Sequence, residues 1–121
     1  MGTIRRYLIV EALAFLAAAL VHSGYLVPGY EHRAARIAET VLALALLAGL
    51  AVGMARPVSA RTAGLAAQAF ALLGTLVGIF TMIVGVGPQS TPDVIYHLGM
   101  VALLGWGLAK IARVPAEARA G

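Results

Sequence analysis

Three observations predict an all-α, integral membrane fold: an antiparallel four-helix bundle with both its N- and C-termini on the cytoplasmic side. Of the 121 residues, 61% are hydrophobic and 12% are charged, which is about half the charged share of a soluble domain. The apolar residues fall into four runs, each close to the roughly 20 residues that span a bilayer core. Short turns bearing Pro, Gly or Ser separate the runs, so consecutive helices become antiparallel neighbours. With no polar linker in the chain, residues 1–121 form one domain.

The first helix is expected at residues 6–27. Arg5 and Arg6 ahead of an apolar run, with small residues at 17–19, resemble a signal peptide. The run continues to Val27, longer than an ordinary signal core, so it reads as a retained membrane helix. Pro28-Gly29 makes a tight turn. The second helix is expected at 31–55 and stops at Arg56-Pro57. Ser59 is a candidate cap for the third, at 63–86, which contains no charge and ends at Gly87-Pro88.

The fourth helix, at 92–113, carries the plainest signals: TPDVIYHLGMVALLGWGLAKIAR. Thr91 is a candidate N-cap, Pro92 suits the first helical position, and Asp93 places negative charge at the positive end of the helix dipole. Lys110 and Arg113 close the segment where anionic headgroups lie. The tail from Pro115 to Gly121 is expected to be frayed.

Orientation follows from Lys and Arg. Arg5, Arg6, Arg56, Arg61, Lys110, Arg113 and Arg119 fall on one side and only Arg33 and Arg36 on the other, which puts the first side in the cytoplasm. The basic residues sit at helix ends and not along a polar face, so the net charge of +4 does not indicate a nucleic-acid partner. The absence of cysteine removes disulfides and thiolate metal sites. No nucleophile elbow, triad order or phosphate loop is present, so a soluble hydrolase is excluded, and the chain reads as no enzyme on its own. Gly49-x-x-x-Gly53 and Gly74-x-x-x-Gly78 allow close helix approach, within the bundle or across a homodimer.

Ionisable groups inside a membrane segment are candidate functional sites. His97 lies about 7 Å inside its helix at about 1.5 Å per residue. His22, five residues before Val27, and His97, five after Pro92, share one depth in the outer leaflet. Met82 is close to that level, His32 is nearer the surface, and Glu39 lies two turns below His32 on the same face. One outer pocket gathering His22, His32, Glu39, Met82 and His97 is therefore expected. Haem b needs axial ligands from different helices at one depth, which points to His22 and His97, with Met82 an alternative. A transition-metal ion would draw on His22, His32, Glu39 and His97. Glu39 is otherwise a partner for Arg36, and Glu11 for Lys110. Tyr25, Tyr30 and Tyr96 suit an aromatic belt.

The stretch ETVLALALLAGL from Glu39, with GVGPQSTPDVIYHLGMVALLGWGL, resembles the small four-helix bacterial membrane proteins called DoxX-like. The resemblance implies the same architecture in a bacterial plasma (inner) membrane, and some members of that family are linked to quinol-dependent respiratory chemistry. The expected function is thus a small membrane protein whose outer pocket binds haem b or a metal ion, serving electron transfer or a larger respiratory-type membrane complex. The alternatives are a proton- or cation-coupled small-solute transporter, with Glu39 and His97 titrating, and a structural accessory subunit.

Overall fold

The computed structural model describes residues 2–116. Arg119 and most of the tail expected to fray lie outside them. The fold is all-α: α1 (Gly2–His22), α2 (Arg33–Ala55), α3 (Ala60–Ile83) and α4 (Thr91–Ala112), with a short 3-10 turn at Pro57–Ser59 leading into α3. The second, third (with its 3-10 lead) and fourth helices are long and apolar enough to cross a membrane. In α1, Arg5, Arg6 and Glu11 interrupt the apolar run.

Two helices end earlier than their prolines suggest. α1 stops at His22 and not at Val27, because Gly24 takes a left-handed conformation (φ +81°) that glycine adopts without a Cβ clash. Residues 23–32 then cross irregularly to α2. In the same way α3 stops at Ile83, Gly85 turns the chain (φ +83°), and the N–H groups of Val86 and Gly87 both donate to Thr81 O. Proline marks a place where a helix is over; glycine one turn upstream ended these two.

The caps also differ from expectation. Ser90, not Thr91, caps α4, and it does so in a reciprocal box with Asp93. α2 is capped by His32, whose Nδ1 accepts from Ala35 N at 3.1 Å. Ser59 stands at the N-cap position of α3 but makes no side-chain capping bond. Arg61 donates to Ala112 O at 2.9 Å, satisfying a carbonyl at the negative end of α4.

The helices pack around small residues. A Cβ on Gly49 would stand 2.6 Å from the Ala67 Cβ, and one on Gly74 2.6 Å from a Leu42 methyl, so these glycines bring α2 and α3 into backbone proximity. Gly64 of α3 receives Ile4 of α1 and Ile111 of α4. The GxxxG glycines Gly49, Gly74 and Gly78 thus face neighbours within the chain.

Polarity is arranged inside out. Leu13, Leu44, Leu73, Phe80, Ile95 and Trp106 are exposed, while Glu11, His22, Glu39, Gln68, Thr75, Asp93 and His97 are buried. In water this arrangement would be penalised twice, by the exposed apolar area and by the buried polar groups. Against lipid the first penalty vanishes, and the second is reduced by hydrogen bonds, between helices for Glu11, Gln68, His22, Glu39 and Asp93 and within one helix for Thr75 and His97.

Candidate functional site

The early stop of α1 leaves the His22 imidazole at the helix end, between α2 and α4. Its Nδ1 lies 2.8 Å from Glu39 Oε2 and its Nε2 2.9 Å from Asp93 Oδ1. His22 is 4% exposed and Glu39 5%. Carboxylate oxygens accept, so an N–H on each ring nitrogen satisfies both contacts; alternatively, one carboxyl carries the proton and donates to the ring. Either distribution places one proton more than a neutral imidazole with two carboxylates, for a net charge of −1 on the three groups; a further proton on Glu39 Oε1 leaves both contacts intact and makes the set neutral. A neutral imidazole between two carboxylates would leave two lone pairs facing each other.

The two carboxylates are not equivalent. Asp93 is held by the α4 cap: Ser90 N and the Ser90 hydroxyl both donate to Oδ2, and Ser90 Oγ accepts from Asp93 N at 3.2 Å. Its oxygens are satisfied, so it fixes the orientation of His22. Glu39 spends only Oε2 on His22; its Oε1 is buried with no partner among the described residues. Burying such an oxygen unpaired is costly, and Glu39 lines a cavity.

That cavity, of about 320 Å³, lies between α2, α3 and α4 beneath residues 86–88. Phe15, Leu42 and Val77 form part of its apolar wall, and Glu39, Thr75, Thr81, Tyr96 and His97 supply polar groups. The Tyr96 hydroxyl is also buried without a partner among the described residues. His97 Nδ1 donates to Asp93 O at 2.8 Å, which fixes its proton there and leaves Nε2 as an acceptor. The ring rests against Gly78, where a Cβ would stand 3.0 Å from Nε2. His32 uses both nitrogens locally: Nδ1 in the α2 cap, and Nε2 donating to Val86 O at 3.2 Å.

The expected gathering of residues is therefore partly present. His22 and Glu39 meet directly, and Glu39, His32 and His97 line one cavity. Glu39 is paired with His22, not with Arg36. Met82 does not line this cavity; it shares a shallower cleft of about 200 Å³ with His97, between α3 and α4. A haem or metal ligand must offer a free lone pair, and both ring nitrogens of His22 are engaged. Among the described residues no three His, Cys, Asp or Glu side chains form a metal-holding group. In the triad the imidazole stands between the carboxylates, so its donors and theirs do not converge on one point.

Three participants were not singled out by sequence reasoning. The sequence marks Asp93 as a dipole partner that shares a face with His97 at i, i+4, and its Ser90-x-x-Asp93 spacing also signals a capping box. Gln68 and Thr75 lie seven residues apart on one face of α3, a polar stripe on an otherwise apolar helix. Gln68 pairs with Glu11, its Nε2 donating to both carboxylate oxygens at 2.7 and 2.9 Å, and both residues are fully buried. Lys110, expected to pair with Glu11, instead lies over the Trp106 ring, 4.8 Å from its centroid.

Comparison with family models, with curated proteins and with solved structures gives no match for this chain.

Proposed function

We propose that this chain is a small four-helix antiparallel protein of the plasma membrane, both termini cytoplasmic, whose outer-half cavity binds a small solute in exchange for a proton at Glu39. The orientation rests on the Lys and Arg distribution. The observation that carries the function is Glu39, a residue of the cavity lining whose Oε1 has no partner among the described residues and whose other oxygen belongs to a His–Asp pair.

The coupling follows from charge. The triad bears −1 in a low-dielectric surrounding, where an uncompensated charge is expensive. A second proton or a cationic group beside Glu39 neutralises it, and the two compete for the same oxygen. Asp93 stays fixed in the helix cap and keeps His22 facing Glu39, so the exchange takes place on the α2 side of the imidazole.

The test is reconstitution into vesicles with a pH-sensitive dye inside and a transmembrane pH gradient. Alkali cations, small amines, amino acids and sugars are added in turn. One class should drive proton movement in the wild type and none in Glu39→Gln. Equal traces with and without protein for every class would overturn the reading.

A second reading keeps haem b or a metal ion, and with it electron transfer in a larger membrane complex. It draws on His97, whose Nε2 is not committed to a hydrogen bond, and on Met82 in the same cleft. A visible spectrum of the purified protein, oxidised and reduced, with metal analysis, decides it: a Soret band lost in His97→Ala supports it, and a colourless, metal-free protein ends it.

A further inference from the structure

The side chains around the Glu39 cavity are mostly hydrogen-bond acceptors. Glu39 Oε1 has no donor among the described residues. His97 Nε2 is left as a lone pair because Nδ1 donates to Asp93 O. The hydroxyls of Thr75 and Thr81 donate to the helix carbonyls Ala71 O and Gly78 O at 2.9 and 2.6 Å, so what they can offer the cavity is again lone pairs. Both nitrogens of His32 are spent. Tyr96 alone among the polar side chains named here has a hydroxyl proton free to donate. A lining of this kind is complementary to a ligand rich in N–H groups, and the charge of −1 on the triad makes it complementary to a cation.

The rest of the wall selects further. Phe15, Leu42, Val77 and the alanines of α2 are apolar, and a cavity of about 320 Å³ is at the small end of the range for organic ligands. A bare metal cation needs several converging oxygens, whereas here a single carboxylate oxygen is free and the hydroxyls are spread along α3. A quaternary ammonium has the charge but no N–H, so it would leave the buried acceptors unsatisfied.

We propose that the cavity binds a small apolar amine in its protonated form, the ammonium N–H groups donating to Glu39 Oε1 and to His97 Nε2 or Thr75 Oγ1, with the hydrocarbon body against Phe15, Leu42 and Val77. This rests on the reading of Glu39 as the solute-binding carboxylate and names the solute's chemistry.

The experiment is calorimetric titration of the purified protein in detergent with three probes that share a phenylethyl body: 2-phenylethylammonium, its bulkier N,N,N-trimethyl analogue and 2-phenylethanol, of which the alcohol is the match in size. The first should bind at least tenfold more tightly than either of the others, and Glu39→Gln should remove that preference. Ala38→Phe, which fills the cavity and leaves the triad intact, should abolish binding of all three and serves if Glu39→Gln does not fold. Equal binding of the alcohol, equal binding of the trimethyl analogue, or amine binding that survives Ala38→Phe would overturn the assignment. Proton exchange in vesicles driven by a different solute class, with no amine binding, would overturn the amine alone; no exchange with any class would remove the underlying reading.

Discussion

The Gln68 amide nitrogen donates to both oxygens of Glu11, while Gln68 Oε1 is buried with no partner among the described residues. The pair is seated by Gly107: a Cβ at that position would collide with Gln68 Nε2 and Glu11 Oε1. One amide thus satisfies a fully buried acid, and a glycine on a third helix makes the room for it.

This makes the pair a sensitive point for stability. Gln68→Leu strips Glu11 of its donor and is expected to cost about 1–3 kcal/mol, the usual penalty for stranding a buried polar group. Glu11→Gln removes the acid and lets two amides pair, so it should cost distinctly less. Unfolding in mixed micelles by increasing SDS would check the order. Equal losses would mean the donor geometry is unimportant.

His22 separates two carboxylates. His22→Ala leaves Glu39 and Asp93 facing each other with no shared proton carrier, and removal of one member of a buried charged set typically costs about 3–5 kcal/mol. Glu39→Gln still offers an oxygen to His22 and removes one negative charge, so its cost should stay near the about 1–2 kcal/mol of an intramembrane hydrogen bond. The double variant should be less damaged than the sum of the two. Strict additivity in the same unfolding assay would show that the residues are not coupled.

The α2–α3 contact sets a third expectation. Gly49→Ala places a Cβ 2.6 Å from the Ala67 Cβ, and the helices must separate, at about 1–3 kcal/mol for overpacking. Gly105→Ala meets nothing within 4 Å and should gain up to about 1 kcal/mol from helix propensity. Thermal unfolding in detergent should move in opposite directions for the two.

Ser90→Ala removes the α4 cap and one support of Asp93. A cap of this kind is worth about 0.5–2 kcal/mol. Amide hydrogen exchange should rise in the first turn of α4 and at His22, which Asp93 orients, while the far end of α4 is unchanged. An effect limited to the first turn of α4 would break the link from cap to triad.

The sequence by itself determined the all-α class, the number of helices, three membrane-compatible spans and the ionisable residues worth attention. Those follow from runs of apolar side chains and from the rarity of charge within them, and both properties are local. It also placed His22 and His97 at one level and Glu39 two turns below His32, because depth along a helix is simple arithmetic. It could not set the rotation of each helix about its axis. By spacing alone Glu39 could pair with Arg36 on its own helix, and Glu11 with Lys110 across the bundle. Only the packed structure turned Glu39 toward His22 and Glu11 toward Gln68, because Gly49, Gly74 and Gly107 determine where the helices come close. Asp93 shows the same division: its spacing to Ser90 was legible, but its contact with His22 depends on Gly24 ending α1 one turn before the proline that seemed to end it.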